Sequence, residues 1–96
     1  MNIKTEVSQY IVDNFLPDVP LESIDESMPL ITGGVIDSIG MIGLVAFLES
    51  RYDVEFMPRE IDVHSLDTVL RIVELMHKKL ANRKIDLAAG ETKQVL

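Results

Sequence analysis

The sequence predicts an all-α fold: a small helical bundle of three main helices plus one short helix, with a long loop after helix 1. Two observations predict it. Apolar residues recur at spacings of three and four in three separate segments, the mark of one buried face of an α-helix. No segment alternates apolar and polar residues for long enough to form a half-buried strand. Size and composition agree with this. Ninety-six residues make one domain at most, and with 47% hydrophobic but only 5% aromatic residues its core must be mostly aliphatic.

The first helix is expected over residues 3–16, where Ile3, Val7, Tyr10, Ile11 and Phe15 share a face and Asn2 offers an N-cap. Pro17 and Pro20 stop it. The connector from Pro17 to Ile36 is long enough to suggest a functional loop, pinned to the core by Ile24, Met28, Leu30 and Ile31. A second helix should run from about Ser38 to Arg51. Its stripe is Met41, Leu44, Val45, Leu48 and Tyr52, broadened by Ile39, Ile42 and Ala46. The segment 53–58 reads as a turn or short extended piece, and 59–63 as a single helical turn. Ser65 is the expected cap of the last helix, which carries Leu66, Val69, Leu70, Val73, Met76 and Leu80 on one face. Lys78 and Lys79 then fall where a helix C-terminus favours positive charge. The domain is expected to span residues 1–81, and 82–96 to form a flexible tail.

Several function classes are excluded by composition or spacing. With 16 acids against 9 bases and a net charge of −7, the chain repels phosphate backbones and anionic lipid, so neither nucleic acid nor membrane is an expected partner. Residues 77–96 hold five bases and two acids, which concentrates the acidity in the body. No cysteine is present, so disulfides and thiolate metal sites are ruled out. The acids of residues 18–26 lack the spacing of a calcium loop, and no metal site is expected. Ser38 is followed by Gly40, but Ile36 occupies the position where a nucleophile elbow needs glycine. Gly33-Gly34 lacks the spacing of a dinucleotide-binding turn. The chain is therefore not expected to be an enzyme. Without a signal pattern or a long apolar run, it is expected to be cytoplasmic.

The remaining feature is Asp37-Ser38 at the head of the second helix. Either residue could serve as a cap worth about 1 kcal/mol. Yet the pair follows two glycines and a long acidic loop, and it opens the most apolar helix of the chain. The stretch PLITGGVIDSIGMIGLVAFLESRYDVEF resembles the acyl carrier protein family and its D-S-L attachment motif, with Ile39 in place of the usual leucine. The resemblance extends from about Val7 to Leu80 and includes Pro29-Leu30, the glycine before the motif, and Leu48, Glu49 and Tyr52 at the close of the helix.

The resemblance implies that Ser38 carries a phosphopantetheine arm derived from coenzyme A, and that Asp37 helps a phosphopantetheinyl transferase recognise the site. It implies a stand-alone monomer that holds an acyl or related group as a thioester. The group would be loaded by a ligase or acyltransferase and passed to synthases or transferases of fatty-acid, polyketide, nonribosomal-peptide or specialised lipid synthesis. Family carriers can shelter cargo behind the second helix, where Ile39, Ile42, Ile61, Leu66 and Val69 are the candidates here. Many fatty-acid carriers dock through acids along this helix, but residues 38–51 contain only Glu49 and Arg51 as charges. A more apolar docking face of Ile39, Met41, Ile42, Ala46 and Glu49 is therefore expected. Gly40 and Gly43 either permit close packing or loosen the first turns. The rival expectation is a helical interaction module without a prosthetic group, in which Asp37-Ser38 is only a cap.

Overall fold

The computed structural model describes the backbone of residues 2–94 and the side chains of residues 2–82. It contains four α-helices: α1 (Ile3–Phe15), α2 (Ser38–Tyr52), α3 (Val63–Leu66) and α4 (Val69–Gln94), with 3-10 turns at Leu21–Ser23 and Pro58–Glu60. No strand occurs among the described residues. Three long helices, one short helix and a long first loop match the expected all-α architecture. The flexible tail expected over 82–96 falls largely outside the residues whose side chains are described.

Each helix begins on a local signal. The Asn2 side chain accepts a hydrogen bond from the Thr5 amide at 2.8 Å, and α1 closes where the Leu16 amide reaches the Val12 carbonyl, one residue before Pro17. α2 ends on Asp53 in the left-handed region (φ 55°), with its amide on the Glu49 carbonyl. The expected Ser65 cap is corrected. Ser65 lies inside α3, which Asp62 caps, and the chain breaks at Asp67-Thr68 before α4 begins. Thr68 Oγ1 takes over as the side-chain partner of the Arg71 amide at 3.0 Å.

The core is aliphatic, as the composition requires. Val7 and Ile11 of α1, Leu44 and Leu48 of α2, Leu66 of α3, and Val69, Ile72 and Met76 of α4 are all fully buried. Leu30 and Ile36 join them from the loop, and Ile24, Met28 and Ile31 pack half-buried against this cluster. Burying side chains of this kind contributes about 1.5–3 kcal/mol each.

Charged ties close the periphery. Glu6 of α1 accepts hydrogen bonds from the Tyr52 hydroxyl and from Arg51 at 2.6 Å. The Tyr52 bond, with Arg51 beside it, holds the Glu6 carboxyl below its ordinary value. Burial, reinforced by Glu6, pushes the Tyr52 phenol up. Lys79 does not serve a helix C-terminus, because α4 continues past it. Its ammonium instead bonds Glu60 at 2.8 Å and the Glu55 carbonyl at 2.6 Å, and it lies over the Phe56 ring. Burial raises the Glu60 carboxyl, but the hydrogen bonds from Lys79 and the Met57 amide outweigh it and leave the group lowered.

Asp67 is lowered as well: burial opposes the shift, and hydrogen bonds from Thr32 and the Ile31 amide prevail. For all three acids the folded value lies below the unfolded one. The stability they add is therefore complete above about pH 5 and lost as pH falls through and below the ordinary carboxylate range. The urea midpoint should be flat between about pH 7 and pH 5 and then drop, with Asp67→Ala dropping less steeply. Parallel curves for the variant and the parent would exclude Asp67 from the acid response.

Candidate functional site

Asp37 and Ser38 divide the roles that the sequence left joined. The Asp37 carboxylate accepts the Gly40 amide at 2.7 Å, and its carbonyl accepts the Met41 amide at 2.9 Å, so Asp37 is the cap of α2. Ser38 is the first residue inside the helix and is exposed. Its hydroxyl has no hydrogen-bond partner among the described residues. The amides of Ser38 and Ile39 remain at the open, positive end of a 15-residue helix. A serine in this position presents a free hydroxyl beside donors and a dipole that favour an attached phosphodiester. The residues present therefore fit a phosphate-linked group on Ser38.

The approach to Ser38 is a turn folded back on itself. The Leu30 carbonyl accepts the amides of Val35 at 2.8 Å and Ile36 at 2.9 Å, and Gly34 donates to the Ile31 carbonyl at 3.1 Å. This reversal needs both glycines, for different reasons. A Cβ on Gly33 would stand 2.2 Å from the Pro29 carbonyl oxygen, whereas Gly34 has φ +82° in open space. The turn is anchored from a distance by Asp67, at the junction of α3 and α4. Its Oδ1 accepts the Ile31 amide at 2.7 Å and the Thr32 amide at 2.9 Å, and its Oδ2 accepts the Thr32 hydroxyl at 2.8 Å. Its carbonyl accepts the Leu30 amide at 2.6 Å. Sequence reasoning missed Asp67. The only local signal was an acid-threonine pair interrupting an apolar run.

Gly40 and Gly43 face α1. A Cβ on Gly40 would meet Phe15 Cε1 at 2.7 Å and Ile36 Cγ2 at 3.0 Å, and one on Gly43 would meet the Tyr10 hydroxyl at 3.3 Å. Close packing is thus their structural role, and Phe47 continues the same face by stacking on Tyr10 at 4.3 Å between centroids. Alanine gains up to about 1 kcal/mol of helix propensity, but overpacking costs about 1–3 kcal/mol. Gly40→Ala should therefore lower the melting temperature while Gly43→Ala holds or raises it. Two stabilising substitutions, in calorimetry, would contradict this packing.

The other candidate residues separate by face. Ile39 is 80% exposed and Ile42 63% exposed, and Ala46 is exposed beside them one and two turns beyond Ser38. Met41 is half-buried against the core. Glu49 is also half-buried and directs Oε2 to the Phe56 amide at 2.9 Å, which ties α2 to the following loop. The five residues considered for an acyl pocket differ widely in exposure. Leu66 and Val69 have no exposed surface and Ile61 is half-buried, while Ile39 and Ile42 lie on the outside. His64 and His77 are both exposed, and the Arg71 guanidinium bonds the His64 ring and carbonyl. No group of three or more potential ligands is placed to hold a metal among the described residues, and none of the helices there is long and apolar enough to cross a membrane.

The chain is similar to known proteins. The chain is 36% identical over 74 residues to the D-alanyl carrier protein of Streptococcus thermophilus (strain ATCC BAA-491 / LMD-9), covering 77% of this chain and 90% of that protein. It is 35% identical over 81 residues to the D-alanyl carrier protein of Streptococcus suis (strain 98HAH33), covering 80% and 99%. Among solved structures it is similar to one described as "Structure of KstB-PCP(apo)", with a TM-score of 0.56, 30% identity, and coverage of 75% of this chain and 79% of that one. No family model matches. With relatives of this identity spanning most of both chains, over a helix that opens on a capped, exposed serine, the chain belongs to the phosphopantetheine-type carrier proteins, a non-catalytic family that includes the D-alanyl carriers.

Proposed function

We propose that Ser38 carries the phosphopantetheine arm and that the chain, as a cytoplasmic monomer, holds an aminoacyl cargo and delivers it to partner enzymes. The observation that carries the reading is the exposed Ser38 hydroxyl at the first position of α2, left free because Asp37 does the capping. When bound, the arm supplies a terminal thiol for thioester linkage. The protein contributes the amides and dipole at the helix end, and its lack of cysteine leaves no competing thiol. An aminoacyl cargo is favoured by similarity to the D-alanyl carriers and by the closed core. A long acyl chain would have to part the fully buried Leu66 and Val69, which a small cargo on the outside need not disturb.

The test loads the arm-bearing protein in parallel with labelled D-alanine or labelled palmitate, each with ATP and a matching activating ligase. Hydroxylamine-labile label from D-alanine, at several times the palmitate level, is expected. Preferential palmitate loading would overturn the aminoacyl assignment.

Docking is assigned to the Ile39, Ile42 and Ala46 face, next to the attachment point. Met41 and Glu49 are poor probes of it, since one packs into the core and the other holds the Phe56 amide. Ile42→Asp should slow loading about tenfold or more at unchanged melting temperature, in keeping with the loss of a buried interface anchor. An unchanged loading rate would remove this face from the account.

A further inference from the structure

Hydrogen bonds link the α3–α4 junction to Ile36, two residues before the attachment serine. Asp67 binds Leu30, Ile31 and Thr32 through four hydrogen bonds spanning 35 residues or more. The carbonyl of the same Leu30 then accepts Val35 and Ile36. Ile36 is 1% exposed, and the next two residues are the cap Asp37 and Ser38. The turn between them contains two adjacent glycines, one at positive φ, and the residues from Thr32 to Gly34 are exposed. Such a segment has much conformational entropy to lose and few side chains of its own to fix it. Beside the backbone bonds within the turn, Asp67 supplies the side-chain bonds that hold it.

We propose that Asp67 is a positioning residue for Ser38: by clamping the Leu30–Ile36 turn it keeps the start of α2 in the form a transferase binds. The inference rests on the assignment of the phosphopantetheine arm to Ser38. Asp67 touches no reacting atom, so its effect lies in the fraction of molecules with the turn in place. If loss of the clamp leaves the ordered turn in about a tenth of molecules, apparent affinity falls about tenfold, while the rate within the docked complex is unchanged. The geometry therefore specifies a kinetic signature: KM rises and kcat stays.

A merely structural Asp67 would lack this signature, and a second tie provides the comparison. Glu6 also holds elements together through its carboxylate, but at Arg51 and Tyr52, at the far end of α2 and about 21 Å along the helix from Ser38. Thr32 offers a milder probe of the clamp. Thr32→Val removes only the hydroxyl bond to Asp67, and Thr32→Ser retains it.

The experiment measures steady-state transfer of phosphopantetheine from coenzyme A to the full chain, by intact mass, at a temperature where every variant is folded by circular dichroism. The expected result is KM raised about tenfold in Asp67→Ala and a fewfold in Thr32→Val, with kcat within twofold of the parent. Thr32→Ser and Glu6→Gln should keep the parental KM. If Asp67→Ala does not fold, Asp67→Asn and Thr32→Val decide. Parental KM in the folded clamp variants, or a KM rise in Glu6→Gln as large as theirs, would overturn the proposal. Failure of the unsubstituted chain to be modified would instead overturn the assignment of the arm to Ser38.

Discussion

Ser38→Ala should abolish covalent modification while leaving the melting temperature within about 2 °C of the parent. The two halves of this expectation have separate causes. Modification needs the exposed Ser38 hydroxyl at the open end of α2. Stability does not need it, because the Ser38 hydroxyl bonds nothing among the described residues, and alanine is the better helix former. Asp37→Ala should behave differently. It removes the acceptor of the Gly40 amide and should cost about 1 kcal/mol. In a domain of this size that is a drop of roughly 4–8 °C. Thermal melts and intact masses of the two variants separate cap from attachment point. A large loss of stability in Ser38→Ala would show that the serine is a structural cap, as the rival interaction-module reading holds.

Gly33→Ala is expected to be the most destabilising single-methyl change in the loop. The added Cβ would lie 2.2 Å from the Pro29 carbonyl oxygen, a backbone atom that no rotamer change can move aside. The turn must open, and opening it strains the bonds that Leu30, Ile31 and Thr32 make to Asp67. Overpacking with lost hydrogen bonds should cost about 2–4 kcal/mol, or roughly 10–25 °C in melting temperature. Gly34→Ala meets no atom within 4 Å and bears only the cost of φ +82°, about 1–2 kcal/mol. Chemical denaturation of both variants should therefore rank Gly33→Ala well below Gly34→Ala. The reverse order would mean that backbone conformation, not the Pro29 contact, dictates the pair.

The long helices were legible because their signals are local. Val7, Ile11, Leu44, Leu48, Val69 and Met76 repeat at helical spacing and are buried, and Asn2 and Asp37 stand at the caps. The start of the last helix was misplaced because Asp62, Ser65 and Thr68 fall three residues apart, and each has capping chemistry. Only the break at Asp67 chooses among them. Breadth of the apolar stripe on α2 was legible, but its orientation was not. Ile39 and Ile42 look as core-like in sequence as Met41, yet they are the most exposed large apolar residues among those described. Gly40 needed Phe15, Gly33 needed Pro29, and the loop clamp needed Asp67. The Gly40–Phe15 and Asp67–loop contacts join residues far apart in the chain, and no contact of the three has a periodicity to announce it. Asp37-Ser38 stood out in the sequence because helix-start chemistry is local, but which of the two residues caps α2 was not legible.

The most direct measurement of the central claim is a peptide map of the chain after incubation with coenzyme A, magnesium and a phosphopantetheinyl transferase. One phosphopantetheinyl group on the peptide containing Ser38, and none in Ser38→Ala, is the predicted result. No mass gain, or a gain that survives Ser38→Ala, would contradict the account.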